Sequence, residues 1–98
     1  MKCMSYYSFF ENFSNKTRMK IIESLRKGPK SVNEICEDIK EEQSKVSHSL
    51  KKLLDCHFLD FKRVGKKKIY SLNKDTLVPL LNMVSGHVKK YCCEVCKK

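Results

Sequence analysis

The sequence predicts a mainly α-helical fold with one β-hairpin, built as a single domain of 98 residues. Three observations predict it: apolar residues recur at helical spacing in several segments, one central stretch alternates apolar and polar residues, and basic residues are concentrated in one third of the chain. A chain of this length has room for one hydrophobic core. The helices and the hairpin must therefore share it.

Two helices are expected before residue 30. The first spans residues 5–13, and in the second, residues 14–28, Ser14 or Asn15 caps the start and Gly28-Pro29 ends the helix. The apolar residues at helical spacing are Tyr6, Phe9, Phe10 and Phe13 in the first helix and Met19, Ile22 and Leu25 in the second.

Residues 31–57 are expected to form a helix-turn-helix. Ser31 is a favourable N-cap, and Glu34 completes a capping box. After a polar turn over residues 40–42, the second helix begins at Gln43 and extends to about residue 57, with Val46, Leu50, Leu53 and Leu54 on one stripe. Its other face is polar and basic, with Gln43, Ser44, Lys45, Ser47, His48, Ser49, Lys51 and Lys52.

A β-hairpin, the wing, is expected over residues 58–72. Residues 58–63 and 67–72 alternate apolar and polar side chains, and Gly65 lies between them, where a positive φ is needed. Basic side chains crowd the tip: Arg63, Lys66, Lys67 and Lys68. A helix-turn-helix followed by a basic hairpin predicts the winged helix-turn-helix fold.

The last helix is expected over residues 75–91, with Pro79 in its first turn, where a missing N–H costs least. Its apolar stripe consists of Leu77, Leu80, Leu81, Val84, Val88 and Tyr91. This stripe is longer than a small three-helix core needs. We therefore expect a homodimer formed through this helix and the N-terminal helix, residues 1–13.

The formal net charge of +10 indicates a polyanionic partner, either nucleic acid or an anionic membrane surface. Residues 43–74 carry nine basic and two acidic side chains, a net +7, on the predicted helix-turn-helix and wing. No apolar run is long enough to span a bilayer, and the N-terminus lacks the apolar stretch of a signal peptide. We therefore expect a cytoplasmic protein that binds double-stranded DNA and no membrane.

Short polar side chains on the second helix of the pair suit base edges in the major groove, and cations suit phosphates. Alternatively, the polar face of this helix is only the solvated side of an amphipathic helix. The basic wing and the local net charge favour DNA binding instead. The expected base contacts are Gln43, Ser44, Lys45, Ser47 and His48, and the flanking cations are Lys51, Lys52, Arg63, Lys66, Lys67 and Lys68.

Four segments resemble the ArsR/SmtB family of metal-responsive repressors: SNKTRMKIIESL (14–25), SVNEICEDI (31–39), SKVSHSLKKLLD (44–55) and GKKKIYSL (65–72). The resemblance covers about residues 9–90. It implies a homodimeric repressor that needs no cofactor to bind operator DNA and releases it when a metal ion or another inducer binds. Dimerisation through the first and last helices is also implied.

Two metal sites known in that family are not matched. One uses Cys-x-Cys at the start of the first helix of the pair, where this chain has Ser31-Val32-Asn33. The other is a zinc-type site on the last helix, which Asp75 and His87 match only loosely, and Thr76 and Lys90 occupy places where ligands would be wanted. Cys36 and Cys56 are expected to pack in the core, as free cysteines commonly do.

The segment from residue 92 to 98 offers three thiols, Cys92, Cys93 and Cys96. If the helix continued, they would lie at about 0°, 100° and 40° around its axis, close enough in direction to meet at one ion. Three thiolates suit As(III) or Sb(III), and the tail is similar to that of family members that bind arsenite. Cd(II) or Zn(II) would need a further ligand such as Cys3, His87 or a partner-chain residue.

Two other classes of protein compete with this interpretation. One is a constitutive or thiol-redox-responsive winged-helix protein whose cysteines form structural disulfides, as in a viral or archaeal protein. The other is an enzyme, which is disfavoured because the sequence has neither a Gly-rich phosphate loop nor a nucleophile–base motif. Cys93 and Cys96 also lack the βαβ context of a thioredoxin-like motif.

Overall fold

A computed structural model describes residues 5–92 of the chain. In this part, five α-helices and one antiparallel hairpin form a winged helix-turn-helix, which confirms the predicted fold class. The elements are α1 (Tyr6–Ser14), α2 (Lys16–Arg26), α3 (Val32–Ile39), α4 (Gln43–Asp55), β1 (Leu59–Val64), β2 (Lys67–Leu72) and α5 (Leu77–His87), and a π-helical turn (Val88–Cys92) follows α5.

One hydrophobic core is shared by helices α2, α3, α4 and α5 and by the hairpin. In α2 its members include Ile21 as well as the predicted Ile22 and Leu25, whereas Met19 is only half-buried. Burying each large apolar side chain contributes about 1.5–3 kcal/mol. The full set is Ile21, Ile22, Leu25, Ile35, Val46, Leu50, Leu53, Phe58, Leu59, Tyr70, Leu72, Leu77 and Leu81.

Helix α1 attaches to this core through aromatic rings. Phe9 and Phe13 pack against buried Phe58, with ring centroids 4.8 and 5.2 Å apart. The buried Asn12 side chain accepts a hydrogen bond of 2.8 Å from the Arg18 guanidinium and so links α1 to α2. The other aromatic residues of α1 remain exposed: Tyr6, Tyr7 and Phe10.

The helix-turn-helix begins as predicted. Ser31 Oγ accepts from the Glu34 amide at 3.3 Å, and Glu34 Oε1 accepts from the Ser31 amide at 2.9 Å, which completes the capping box. Helix α3 ends at Ile39, and its C-cap Lys40, with a left-handed backbone (φ 58°), turns the chain towards α4. At α2, Asn15 is the N-cap, and its side chain accepts from the Arg18 amide at 2.9 Å.

The hairpin has a two-residue turn at Gly65 and Lys66, in which Gly65 takes a φ of +66°. Residue 64, expected in the turn, instead ends β1 opposite Lys67. The backbones of Lys30 and Tyr70 exchange two hydrogen bonds, of 3.0 and 2.8 Å, that hold the start of α3 against β2. The wing is therefore fastened to the helix-turn-helix.

Helix α5 differs from its prediction at both ends. It begins at Leu77 because the Asn73 side chain accepts from the amides of Asp75 (2.8 Å) and Thr76 (3.3 Å) and holds these residues in a turn. After His87 the chain widens into the π-helical turn, so the predicted α-helix does not continue to Tyr91. No helix described within residues 5–92 is long and apolar enough to cross a membrane.

Candidate nucleic-acid interface

The outward face of α4 carries the predicted DNA-contacting side chains of this helix, all of them exposed: Gln43, Ser44, Lys45, Ser47, His48, Lys51 and Lys52. The opposite stripe of Val46, Leu50 and Leu53 is buried and sets the rotation of the helix. Ser49 was predicted on the polar face, and that prediction is wrong. It is buried because it lies one turn from both Val46 and Leu53.

The exposed side chains of α4 are not equivalent. Each residue turns the helix by about 100°, so Ser44, Ser47, His48 and Lys51 share the centre of the outward face. Gln43 and Lys45 flank this centre on opposite sides.

The wing presents its cations on different faces. Arg63 lies directly opposite Lys68 in the antiparallel register, so both side chains leave the same face of the hairpin as Phe61 and Tyr70. Lys68 Nζ stands 4.8 Å from the centroid of the Phe61 ring. Lys66 and Lys67 lie at the tip, and both are exposed.

A groove of about 320 Å³ lies between α4 and the wing, the two elements predicted to contact DNA. Its walls are the first turn of α3, the start of α4 and one face of the wing. Gln43 of α4 therefore faces the same space as the wing cations. The lining residues are Ser31, Val32, Asn33, Gln43, Arg63, Lys66, Lys67, Lys68 and Tyr70.

Two predicted contact residues are already held by carboxylates of the preceding turn. Glu41 lies 3.5 Å from Lys45 Nζ through one oxygen and 3.6 Å from Lys20 Nζ of α2 through the other. The Ser44 hydroxyl donates to Glu42 Oε1 at 2.9 Å. Neither contact was predicted, although the Glu41–Lys45 spacing of four residues is a recognisable helix pair.

A third carboxylate lies beside the groove. The Ser31 backbone amide, which donates to Glu34, holds the pKa of that carboxyl below its usual value, and Lys67 and Lys30 lower it further. Glu34 is therefore an anion at neutral pH, and its charge acts on one of the wing cations.

The predicted thiol site lies largely beyond the described part of the chain. Cys92 is a half-buried free thiol, whereas Cys93, Cys96 and Cys3 lie outside residues 5–92. His87, the other suggested ligand, is exposed. Within residues 5–92, no three His, Cys, Asp or Glu side chains are grouped so that they could hold a metal ion, so Asp75 and His87 belong to no such group.

The remaining described cysteines contact the core. Cys36 is a free thiol, and burial raises its pKa, so it stays protonated and is a poor metal ligand. Cys56, at the end of α4, also packs against the core and is disulfide-bonded.

Comparisons with known proteins point in one direction. The profile of the arsR family of bacterial regulatory proteins matches residues 15–60, which include α2, α3 and α4. The HTH-type transcriptional regulator NmtR of Mycobacterium tuberculosis is 32% identical over 80 residues, which cover 82% of this chain and 67% of NmtR. A probable mercury resistance operon repressor of Streptomyces lividans is 30% identical over 73 residues, 74% of this chain and 58% of that repressor.

The fold has a close counterpart among solved structures. The homodimeric winged helix-turn-helix DNA-binding domain of Mb0332 from Mycobacterium bovis superposes with a TM-score of 0.81 at 17% identity, over 90% of this chain and 82% of that domain. At this identity the likeness concerns the fold. The chain spans about two thirds of the length of NmtR and 58% of the length of the Streptomyces lividans repressor.

Proposed function

The chain belongs to the ArsR family of bacterial regulatory proteins, and we propose that it is a cytoplasmic transcriptional repressor that binds operator DNA as a homodimer. A soft metal or metalloid ion bound by the C-terminal thiols would release it from DNA. No cofactor is needed for DNA binding. The relatives named above are regulators of transcription, and we propose no catalytic activity.

The observation that carries the DNA-binding proposal is the groove that α3, α4 and the wing form together. In this groove the basic residues of the wing lie beside the start of α4, so the two elements form one continuous surface. The helix of a winged helix-turn-helix fits the major groove, and a wing contacts the adjacent backbone. We assign Ser44, Ser47 and His48 to base edges, and Lys51, Lys52 and the wing cations to phosphates.

The proposed homodimer rests on apolar surface that the monomer leaves uncovered. Met83, Val84, Val88 and Tyr91 are exposed on α5 and the turn after it, with Val84 at 49% and Tyr91 at 64%. Tyr6 and Phe10 of α1 are exposed as well. Side chains of this kind mark protein–protein contacts, and the Mb0332 domain is homodimeric. Two copies would read two half-sites of a pseudo-palindromic operator.

The proposed inducer site is built from Cys92, Cys93 and Cys96. Soft thiolates select soft ions, and three of them suit the trigonal preference expected for As(III) or Sb(III). Cys3, His87 or a partner-chain residue would add a fourth ligand for Cd(II) or Zn(II). The Streptomyces lividans relative is described as a mercury resistance repressor, which supports a soft inducer in general.

The test is a titration of DNA binding with the candidate inducers. A duplex selected from a random library would be bound by the reduced protein, and its fluorescence anisotropy followed on adding arsenite, Cd(II) or Zn(II) at constant salt. We expect at least one ion to release the DNA from the parent but not from Cys92→Ser, Cys93→Ser or Cys96→Ser variants. Salt is held constant because phosphate contacts make affinity strongly salt-dependent.

Cys36→Ser is the matched control, since this thiol lies against the core. It should respond to the ion as the parent does. Release that persists in all three tail variants would refute the thiol site without affecting the DNA-binding proposal. A parent that selects no sequence would refute the latter.

A second candidate function is favoured by the disulfide at Cys56. Here the protein would be a constitutive or thiol-redox-responsive winged-helix DNA-binding protein with structural disulfides. Thiols counted with Ellman's reagent in denatured protein purified without reductant separate the candidates. Six reactive thiols favour the inducer-responsive repressor, whereas fewer, together with DNA affinity unchanged by metal ions, favour the second candidate.

A further inference from the structure

We propose that the groove between α3 and the wing grips one DNA strand by its sugar-phosphate backbone, with Asn33 and Gln43 as backbone-contacting residues. The inference rests on the proposed DNA-binding function and adds to it a second wall of the interface, contributed by α3. It also assigns Gln43 to the backbone rather than to a base.

The side of the groove formed by the wing, the wing wall, carries positive charge that favours an anion. Arg63 and Lys68 lie directly opposite each other on the face that lines the groove. Like charges in this position destabilise a hairpin, so the arrangement is costly unless an anion lies between them. No ion pair within residues 5–92 involves a wing cation, since these pairs are formed by Lys20, Lys27 and Lys45.

The α3 wall supplies hydrogen-bond donors. Ser31 already accepts from the amides of Glu34 and Ile35, at 3.3 and 3.0 Å. The preceding first-turn amides, those of Val32 and Asn33, have no acceptor inside the helix, and the helix dipole favours an anion beside them. Both residues line the groove, and the exposed Asn33 side chain adds a further amide donor.

The two walls are held at a set separation. The paired backbone hydrogen bonds between Lys30 and Tyr70 join the residue before the α3 N-cap to the strand that carries Lys68. A phosphate entering the groove therefore meets donors that are already in place, which reduces the ordering cost of binding.

In this arrangement Gln43 contacts the DNA backbone and not a base. It flanks the centre of the α4 face on the groove side, and Arg63 and the wing lysines line the same groove. A side chain that contacts the backbone positions the protein but carries no sequence information. Loss of Gln43 should therefore weaken binding to selected and random DNA by the same factor.

Two variants of α3 test the groove with opposite charge changes. Asn33→Asp places a carboxylate in the groove, and we expect about tenfold weaker DNA binding because a repelled phosphate contact is lost. The same change should keep or raise the melting temperature, since an acidic residue in a first helical turn is favourable. Glu34→Gln removes a negative charge beside the groove but retains a capping-box residue, and should tighten DNA binding about two- to threefold.

The measurements are anisotropy titrations of the full chain on a selected duplex and on a random duplex, at several salt concentrations. Asn82→Asp on α5 is the control, since it makes the same change away from the groove. Gln43→Ala should weaken both duplexes equally, by about tenfold, as expected for one hydrogen bond to an anionic phosphate.

The inference is overturned if Asn33→Asp binds within twofold of the parent, or if Gln43→Ala weakens the selected duplex alone. These outcomes leave the proposed function intact as long as the parent selects a sequence. If the parent binds no DNA, the proposed function fails and the groove proposal fails with it.

Discussion

The α4–wing surface and the outer face of α5 are both uncovered in the monomer, but for different physical reasons. On α4 and the wing the exposed groups are cations and short polar side chains. On α5 and the turn after it the exposed groups are apolar, with Met83 at 76% and Tyr91 at 64%. Water solvates the first kind well and the second poorly.

The contrast indicates two kinds of partner. Exposed cations favour a polyanion, whose binding should weaken as salt rises. Uncovered apolar side chains favour a protein surface, whose binding depends much less on salt. Variants of the basic surface should therefore weaken DNA binding and leave the dimer intact, whereas variants of the apolar surface should dissociate the dimer.

The largest effect is expected on the apolar side. Val84→Asp would bury a carboxylate without a partner in the proposed dimer interface. An uncompensated buried charge costs about 3–5 kcal/mol, which raises the dimer Kd at least about 100-fold. Sedimentation velocity over a concentration series should show a monomer.

Asn82→Asp is the control, since it adds the same charge on the opposite side of α5, where the Arg26 guanidinium lies 3.1 Å from the Asn82 side-chain oxygen. This variant should remain dimeric. Equal dissociation of both variants would show that α5 is merely sensitive to charge, and a dimeric Val84→Asp variant would exclude this face as the interface.

The next largest effect is expected on the basic side. Replacing Lys66, Lys67 and Lys68 together with Gln should weaken DNA binding by about 10- to 100-fold at low salt, because each lost phosphate contact reduces the salt slope by about 0.9. Lys89 and Lys90, changed to Gln on the turn after α5, form the control. If both sets weaken binding alike, the charge acts as a bulk property and the wing has no special role.

The sequence predicted which helix faces are exposed, but not which individual side chains on them are buried or paired. The Val46, Leu50 and Leu53 stripe correctly predicted which face of α4 points outward. The burial of Ser49 was missed because it depends on how far the core wraps around the helix. The hold of Glu41 on both Lys20 and Lys45 depends on α2 lying beside the turn, a tertiary contact.

A smaller effect is expected from Glu41. Glu41→Gln should free Lys45 for DNA and tighten binding about two- to fivefold, since an exposed ion pair is worth about 1 kcal/mol or less. The same change should lower stability slightly, so affinity and melting temperature should move in opposite directions. Glu37→Gln on α3 removes the same charge as a control. An unchanged DNA affinity in Glu41→Gln would mean that Lys45 takes no part in binding.

The smallest effect concerns neither surface. The Ser24 hydroxyl, 2.6 Å from Asp38, and the Lys27 ammonium hold the pKa of Asp38 below its usual value. The resulting stabilisation is present above the unfolded-state pKa of about 3.9 and is lost as pH falls through the lower folded-state value. Between pH 6 and 3 the melting temperature should therefore fall more in the parent than in Asp38→Asn.

Asp60→Asn, at an exposed carboxylate of β1, is the control for that measurement and should follow the parent. An Asp38→Asn variant with the parent's full acid sensitivity would show that the α2–α3 contact has no part in it.

By itself the sequence determined the winged helix-turn-helix, the α3 capping box and the outward face of α4. These depend on residue spacing and on hydrogen bonds between near neighbours, which are local. Only the tertiary structure decided that Gln43 shares a groove with Arg63 and Lys68, and that the chain after His87 leaves the α-helix. The groove exists because the backbones of Lys30 and Tyr70 are hydrogen-bonded across 40 residues of chain, and no local pattern predicts such a pairing.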